Sequence, residues 1–235
     1  MFNKNILCVI PARGGSKGIK LKNIYRVNGK PLIFYTLNFV KNISFFNEIV
    51  ISTNQKKIKK VCEENGFKIP FMRPKALAGD RISDIQVLRH SLLSAEEYNK
   101  TKYDLIIMLQ PTSPLRSKKD LKDGINQFLK NQNDSLWSVS KIDTKYHPLK
   151  QLLITKDKLS YFSKKGKEII ARQELGETFI RNGVFYIFNR NCIVQNKQLL
   201  GKNPGFFEIN KKHFNIDKIS ELKSFELFLN RKIKP

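Results

Sequence analysis

The sequence predicts an α/β protein with a mostly parallel sheet covered by helices on both sides, and three observations carry that expectation. Apolar runs of strand length alternate with stretches of helical periodicity over the first 140 residues, the pattern that makes strands parallel neighbours joined through helices. The runs are continuously apolar rather than alternating, as strands buried on both faces are. With 235 residues and 40% hydrophobic content, the chain has enough apolar material for one full core plus an appendage, and not for two independent domains.

The elements follow in order. "NILCVI" reads as a buried first strand, and residues 31–42, "PLIFYTLNFVKN", as a helix with Pro31 in its first turn. "EIVIST" is the next strand, followed by a Lys-rich helix that Gly66 terminates. "FKIPFM" reads as a third short strand leading to a helix from about Ser83, whose Ile85, Leu88, Leu92 and Leu93 are expected on one face. "YDLIIMLQ" is a continuously apolar strand, "PTSPLRS" a loop stiffened by two prolines, 118–131 a helix, and "SLWSVS" a strand. The alternation breaks after Ser140. Residues 141–182 carry short strand-like pieces, turn residues and many charges, and are expected to form an antiparallel insertion projecting from the sheet. "GVFYIF" returns to the core, which thus comprises 1–140 and 183–235, and the chain closes with "KHFNID" and an amphipathic helix over 220–231.

Composition excludes several classes. Among the apolar stretches none approaches the roughly 20 residues needed to cross a bilayer, and "MFNKNILCVIPARGG" lacks the long apolar core and small-residue cleavage site of a secretory signal. A cytoplasmic protein with no membrane partner is expected. Cys8, Cys62 and Cys192 are too few and too widely spaced for a disulfide framework or a zinc site. The net charge of +24 invites comparison with nucleic-acid binders. However, Lys supplies 34 of the 44 cations, scattered along the chain, with no helix-turn-helix, zinc-finger or aromatic RNA-binding signature. No nucleic-acid partner is expected.

Chemistry concentrates in the loops that end strands, where ligands bind in such sheets. "PARGGSKGIKLKN" follows the first strand: Gly14, Gly15 and Gly18 let backbone amides approach an anion, and Arg13, Lys17, Lys20 and Lys22 add positive charge, so the loop suits a polyphosphate. Its spacing matches neither the Walker A nor the dinucleotide glycine pattern. Gly14 to Gly18 does satisfy the G-x-S-x-G of hydrolases, but the motif follows the first strand, Pro31 delays the next helix, and cations crowd Ser16. Two further loops end strands on the same side. "RPKALAGDRISD" offers Arg73 and places Ser83 at a helix N-cap, and "LQPTSPLR" places Gln110, Thr112 and Ser113 at a strand end.

These stretches, with "VIST", "RQELGETFIRNGVFYI" and "NID", resemble in the same order the cytidylyltransferases that activate acidic sugars, most closely CMP-N-acylneuraminate (sialic and legionaminic acid) synthetases. The resemblance covers about residues 5 to 230. It implies a Rossmann-like nucleotide-binding core, residues 141–182 as a dimerisation arm of a homodimer, and CTP plus a nonulosonic acid as substrates, giving the CMP-sugar and pyrophosphate. Triphosphate and cytidine contacts are implied for Arg13, Ser16, Lys17, Lys22, Asn23, Arg73 and Ser83, and sugar contacts for Gln110, Lys150, Arg172 and Tyr186. Arg13, Lys17 and Asp217 are the implied catalytic groups, with Mg²⁺ as cofactor at Asp217 and Asn215. Activation of 3-deoxy-octulosonate or pseudaminate is the alternative within the family; the octulosonate-activating relatives carry an acidic motif where "QPTSPLR" stands here.

Two positions depart from the family pattern. Its metal loop reads Asp-Ile-Asp, whereas this chain has Asn215, Ile216 and Asp217, and "ISTN" replaces "ISTD" at Asn54. Mg²⁺ prefers oxygen ligands and keeps several waters, so a site with one carboxylate is expected to bind it more weakly.

Overall fold

The computed structural model of the protein describes residues 2–15, 18–196 and 198–233. In chain order it contains β1 (Ile6–Pro11), β2 (Arg26–Val27), β3 (Lys30–Pro31), α1 (Leu32–Lys41), β4 (Glu48–Ser52), α2 (Lys56–Glu64), α3 (Asp84–Asn99), β5 (Leu105–Met108) and α4 (Lys118–Lys130). Then follow β6 (Ser135–Lys141), β7 (Leu152–Thr155), β8 (Lys158–Tyr161), β9 (Phe179–Asn189), α5 (Arg190–Gln195), β10 (Pro204–Glu208) and α6 (Ile219–Ile233). Among the described residues six strands form one sheet in the order β10-β6-β9-β5-β1-β4. The expected α/β architecture with a mostly parallel sheet is present.

β1 shows why its run is continuously apolar. Ile6, Cys8 and Ile10 pack into the layer that holds Ile33 and Leu37 of α1, Ile58 of α2 and Ile125 of α4. Leu7 and Val9 point to the other layer, with Leu88 and Leu92 of α3 and Ile193 of α5. Strand alternation therefore divides one apolar run between two cores. A third cluster joins Ile19, Val27, Leu32 and Ile216 to Leu222 and Phe225 of α6, fastening the end of the chain over the opening loop.

The structure corrects the sequence reading in several places. β1 pairs in parallel with β4 and β5, and β10 with β6, but β9 is antiparallel to both β5 and β6. No α-helix carries the chain from β6 to β9, whose intervening residues are all described. The segment between them leaves and returns beside itself, with Lys141 opposite Phe179, so the returning strand runs the other way. "FKIPFM" is irregular rather than a strand: the Phe67 N–H turns back to the Cys62 carbonyl, and Pro70 has no N–H to give a ladder. Leu93 is exposed, because it lies about 100° round the helix from Leu92 while Ile85, Leu88 and Leu92 hold the buried stripe. The hairpin β2–β3, α5 and edge strand β10 are additions that short or polar sequence did not announce. Asn28 and Gly29 turn that hairpin with φ of 49° and 76°.

Within 141–182, β7 and β8 form a hairpin whose residues are all exposed. Among the described residues no helix is long and apolar enough to cross a membrane.

Away from these loops, Glu96 of α3 is buried and carries a concentrated ionic cluster. Arg190 clasps both its oxygens at 2.8 and 2.9 Å, Lys102 adds 2.9 Å, and the Tyr103 N–H donates at 3.3 Å. Burial alone raises its pKa; these donors overcome it and pull the carboxyl down to about 2. A folded-state pKa below the unfolded value stabilises the fold above pH ~4.3, and that contribution fades as pH falls through the folded value. Glu96→Gln is expected to lower unfolding free energy by about 3 kcal/mol at neutral pH in urea titrations, with the gap to wild type closing toward pH ~2.

Candidate active site

The loops after β1 and β5 and the segment between α2 and α3 converge on a cavity of about 350 Å³ at the carboxyl ends of β1 and β5. β1 ends at Pro11, and the chain turns at once into the glycine loop, whose Gly14 N–H donates to Asn54 Oδ1 at 3.0 Å. Asn54 thus supplies the acceptor that an aspartate would supply, without its charge. The Arg13 carbonyl accepts from Asn23 Nδ2 at 2.9 Å, and buried Asn23 so fixes the loop from below. Gly18 is needed for close approach: a Cβ there would sit 2.6 Å from the Asp217 carbonyl oxygen.

Three cations of the cavity wall are held by internal acceptors. Arg13 Nη1 donates to the Gly79 carbonyl at 3.0 Å and pairs with Asp80 at 2.9 Å. Lys22 Nζ donates to the Ile216 carbonyl at 2.8 Å and to Asp217 Oδ1 at 2.7 Å. Arg73 is buried, with Nε on Ser52 Oγ at 3.0 Å and Nη2 on the Ser52 carbonyl at 2.8 Å. Burial, then Arg13, lower its pKa to about 10, against the pull of Asp84, so it stays charged at neutral pH. Asp84 lines the same cavity; burial raises its pKa, and Arg181, Arg73 and Arg13 counter that.

Gln110, at the end of β5, and Tyr186, on β9, form the opposite part of the wall. Gly183 sits between them with φ +75°, and a Cβ there would meet Ser113 Oγ at 2.5 Å and Gln110 Oε1 at 2.6 Å. The Gly183 N–H donates to Tyr186 Oη at 3.1 Å. Beneath lies a buried polar knot: Ser113 Oγ donates to the Asn182 carbonyl at 2.8 Å, and Asn182 Oδ1 accepts from Ser138 Oγ at 2.6 Å.

A model of the family described as "Cytidylyltransferase" matches residues 7–232. The chain belongs to the cytidylyltransferase family. It is 36% identical over 228 residues to a post-translational flagellin modification protein B of Campylobacter coli, covering 97% of this chain and 96% of that one. It is 34% identical, with the same coverage, to a CMP-N,N'-diacetyllegionaminic acid synthase of Campylobacter jejuni subsp. jejuni. Among solved structures, a CMP:2-keto-3-deoxy-manno-octonic acid synthetase complexed with CTP shares the fold, with a TM-score of 0.72 over 97% of this chain and 100% of the other at 18% identity.

For this cytidylyltransferase the expected site residues fall into four groups. Arg13, Lys22, Asn23, Arg73, Gln110, Tyr186, Asn215 and Asp217 line one cavity. Ser83 instead sits at the N-cap of α3, where its N–H and hydroxyl both donate to Gln86 Oε1, and it does not line the cavity. Lys150 and Arg172 are exposed on 3₁₀ turns of the 141–182 segment, outside the cavity of their own chain. Ser16 and Lys17 lie outside the described residues.

The donors fit a hard divalent cation of modest protein contribution. Asp217 is exposed and Lys22 holds one of its oxygens, while Asn215 offers an amide oxygen on the same wall. Among the described residues no three His, Cys, Asp or Glu side chains cluster as a metal cage. A cation here would take most of its ligands from phosphate and water, as Mg²⁺ does.

Sequence reading missed Arg116. Its Nε donates to the Val184 carbonyl at 2.7 Å, Nη1 to Thr36 Oγ1 at 2.9 Å and Nη2 to the Gln110 carbonyl at 2.5 Å. Burial lowers its pKa to about 9, and no carboxylate among the described residues pairs with it. Two of its three partners lie 68 and 80 positions away, so no local pattern signals the role. Gly183 had a signal, since Asn-Gly marks a turn. Arg116→Met removes the donor to the Val184 carbonyl and to Thr36 Oγ1, while the Gln110 carbonyl keeps the Ser113 N–H at 3.0 Å. At about 1–3 kcal/mol for each group left without a partner, the expected outcome is a loss of about 2–6 kcal/mol in denaturant unfolding.

Proposed function

We propose that the chain transfers CMP from CTP to the anomeric hydroxyl of a nine-carbon acidic sugar of the legionaminate or N-acetylneuraminate type, releasing pyrophosphate. The observation that carries this reading is the convergence of Arg13, Lys22 and Arg73 with Gln110 and Tyr186 on one cavity at the carboxyl end of the sheet. The identity to a legionaminate-activating relative over nearly the whole chain supports the choice of sugar class.

The sugar hydroxyl, giving up its proton to water, attacks the α-phosphorus in line: the new P–O bond forms as the bond to the bridging oxygen breaks, and pyrophosphate leaves. Arg73, locked on Ser52, is a charge placed in advance, which costs no reorganisation during reaction. Arg13 and Lys22 are paired with single carboxylates and are drawn to the more highly charged triphosphate. Asp217 and Asn215 would hold Mg²⁺, which when bound supplies positive charge to the departing pyrophosphate. Gln110, held by the Arg116 clamp on its carbonyl, orients the acceptor.

The reading also takes in a second copy of the chain. The 141–182 segment presents Ile154 at 77% and Ile170 at 94% exposure, with Leu159 and Phe162 beside them in sequence, an apolar surface that a homodimer would cover. The same contact would carry Lys150 and Arg172 toward the partner's cavity. The use of CTP and the buried free thiols of Cys8, Cys62 and Cys192 support a cytoplasmic setting for the reaction.

With CTP, Mg²⁺ and a panel of acidic sugars, pyrophosphate release is expected with CTP and not with ATP or GTP. Arg13→Ala should cut turnover on the order of 10²-fold by removing a charge that meets the transition state. Equal rates with all three nucleotides sink the reading. Asn215→Asp adds a carboxylate to the metal donors, so half-maximal activity should move to lower Mg²⁺, while Asp217→Ala nearly abolishes turnover. An Asp217→Ala variant with the parental Mg²⁺ titration removes that residue from the site.

A further inference from the structure

Among the described residues four cations line the cavity: Arg13, Lys22, Arg73 and Arg181. The first three are tied to Asp80, Asp217 and Ser52. The Arg181 side chain makes no hydrogen bond or ion pair with any described residue; its guanidinium carbon rests 5.9 Å from the centre of the Trp137 ring. Such a stack orients an exposed guanidinium while leaving its donor edge available.

Its location decides what it faces. Arg181 stands opposite Val139 in the β6–β9 register, two positions before the break at Gly183. Trp137 packs edge-on against Tyr186, with ring centres 5.7 Å apart and planes at 87°. Arg181 and Tyr186 therefore both line the cavity, with Gln110 in the same lining, and Trp137 packs against both without lining it; Arg13 and Lys22 reach the cavity from the opening loop. Asp84 is the nearby carboxylate on which Arg181 acts most strongly among the cations, so an anion arriving here meets a guanidinium only partly offset by its own chain. Lys150 and Arg172, the other cations expected near the sugar, do not line this cavity.

We propose that Arg181 is the chain's own anchor for the carboxylate of the acceptor sugar, binding it through the two-pronged edge of the guanidinium, and that it thereby determines which acids are accepted. This rests on the acceptor being an acidic sugar, as the proposed function has it. Arg181 is exposed on a strand, so its replacement leaves the core intact.

The test compares wild type, Arg181→Gln and Arg181→Lys by pyrophosphate release, varying CTP and sugar separately. The sugar is offered both as the free acid and with its carboxylate converted to a carboxamide. Loss of a charge-assisted pair should raise the sugar KM by about 10- to 100-fold in Arg181→Gln, with the CTP KM within about twofold, since the loss is confined to the sugar. Arg181→Lys should recover part of the loss, keeping charge without the fork. With the carboxamide, wild type and Arg181→Gln should converge. An unchanged sugar KM in Arg181→Gln, or a defect of the same size with the carboxamide, overturns the inference alone. A wild type that releases no pyrophosphate with any acidic sugar overturns the proposed function as well, so the two failures are told apart.

Discussion

The site depends on one half-buried cation that pairs with no carboxylate among the described residues. Three of the Arg116 N–H groups donate to two main-chain carbonyls and a threonine hydroxyl, drawn from the loop after β5, from β9 and from α1. Removing a guanidinium from water is costly unless its donors are all met, so the three elements are held at one separation or the charge is stranded. That separation sets how far the Gln110 loop stands from the Gly183 break, and Gly183 has room for no side chain because Ser113 and Gln110 already occupy the space. The antiparallel β9 is what makes the arrangement reachable. Running against its neighbours, it delivers Val184 to the clamp and Tyr186 to the cavity from one short stretch.

Electrostatically the cavity is poised between two uses of its cations. Arg13 and Lys22 rest on carboxylates, and a polyphosphate that carries more charge than either competes for them. Arg73 is different: its acceptors are Ser52 oxygens in the core, and it keeps its proton despite the desolvation that lowers its pKa to about 10. One fixed charge and two exchangeable ones suit a ligand that must enter, react and leave as a smaller anion. Arg181 adds a fourth charge to the same cavity, and its side chain rests on Trp137 rather than on a carboxylate. The overall charge of +24 strengthens attraction for both without specifying either.

The apolar hairpin of residues 152–161 belongs to a different physical problem. Its strands pair only with each other, and none of its residues is buried by its own chain. A two-stranded hairpin is marginal in water by itself. The side chains that would stabilise it, Ile154 and Leu159 among them, are left exposed. A second copy of the chain would satisfy the hairpin and complete the sugar side of the cavity in a single contact.

The sequence by itself determined the elements whose signal is local. A continuous apolar run made β1, Pro31 and Gly66 bounded helices, and glycines beside cations marked the loop that lines the cavity. Motif order then identified the family, because each motif is a short contiguous piece of one binding loop. Tertiary structure alone decided the direction of β9, since antiparallel return is set by where the 141–182 segment comes back and not by the residues of "GVFYIF". It also decided that Ser83 caps a helix, that Arg116 spans three elements, and that Arg181 reaches the cavity while Lys150 and Arg172 of the same chain do not. In each case the partners are distant in sequence or the role turns on geometry across the fold, and periodicity reports only what a residue's near neighbours require.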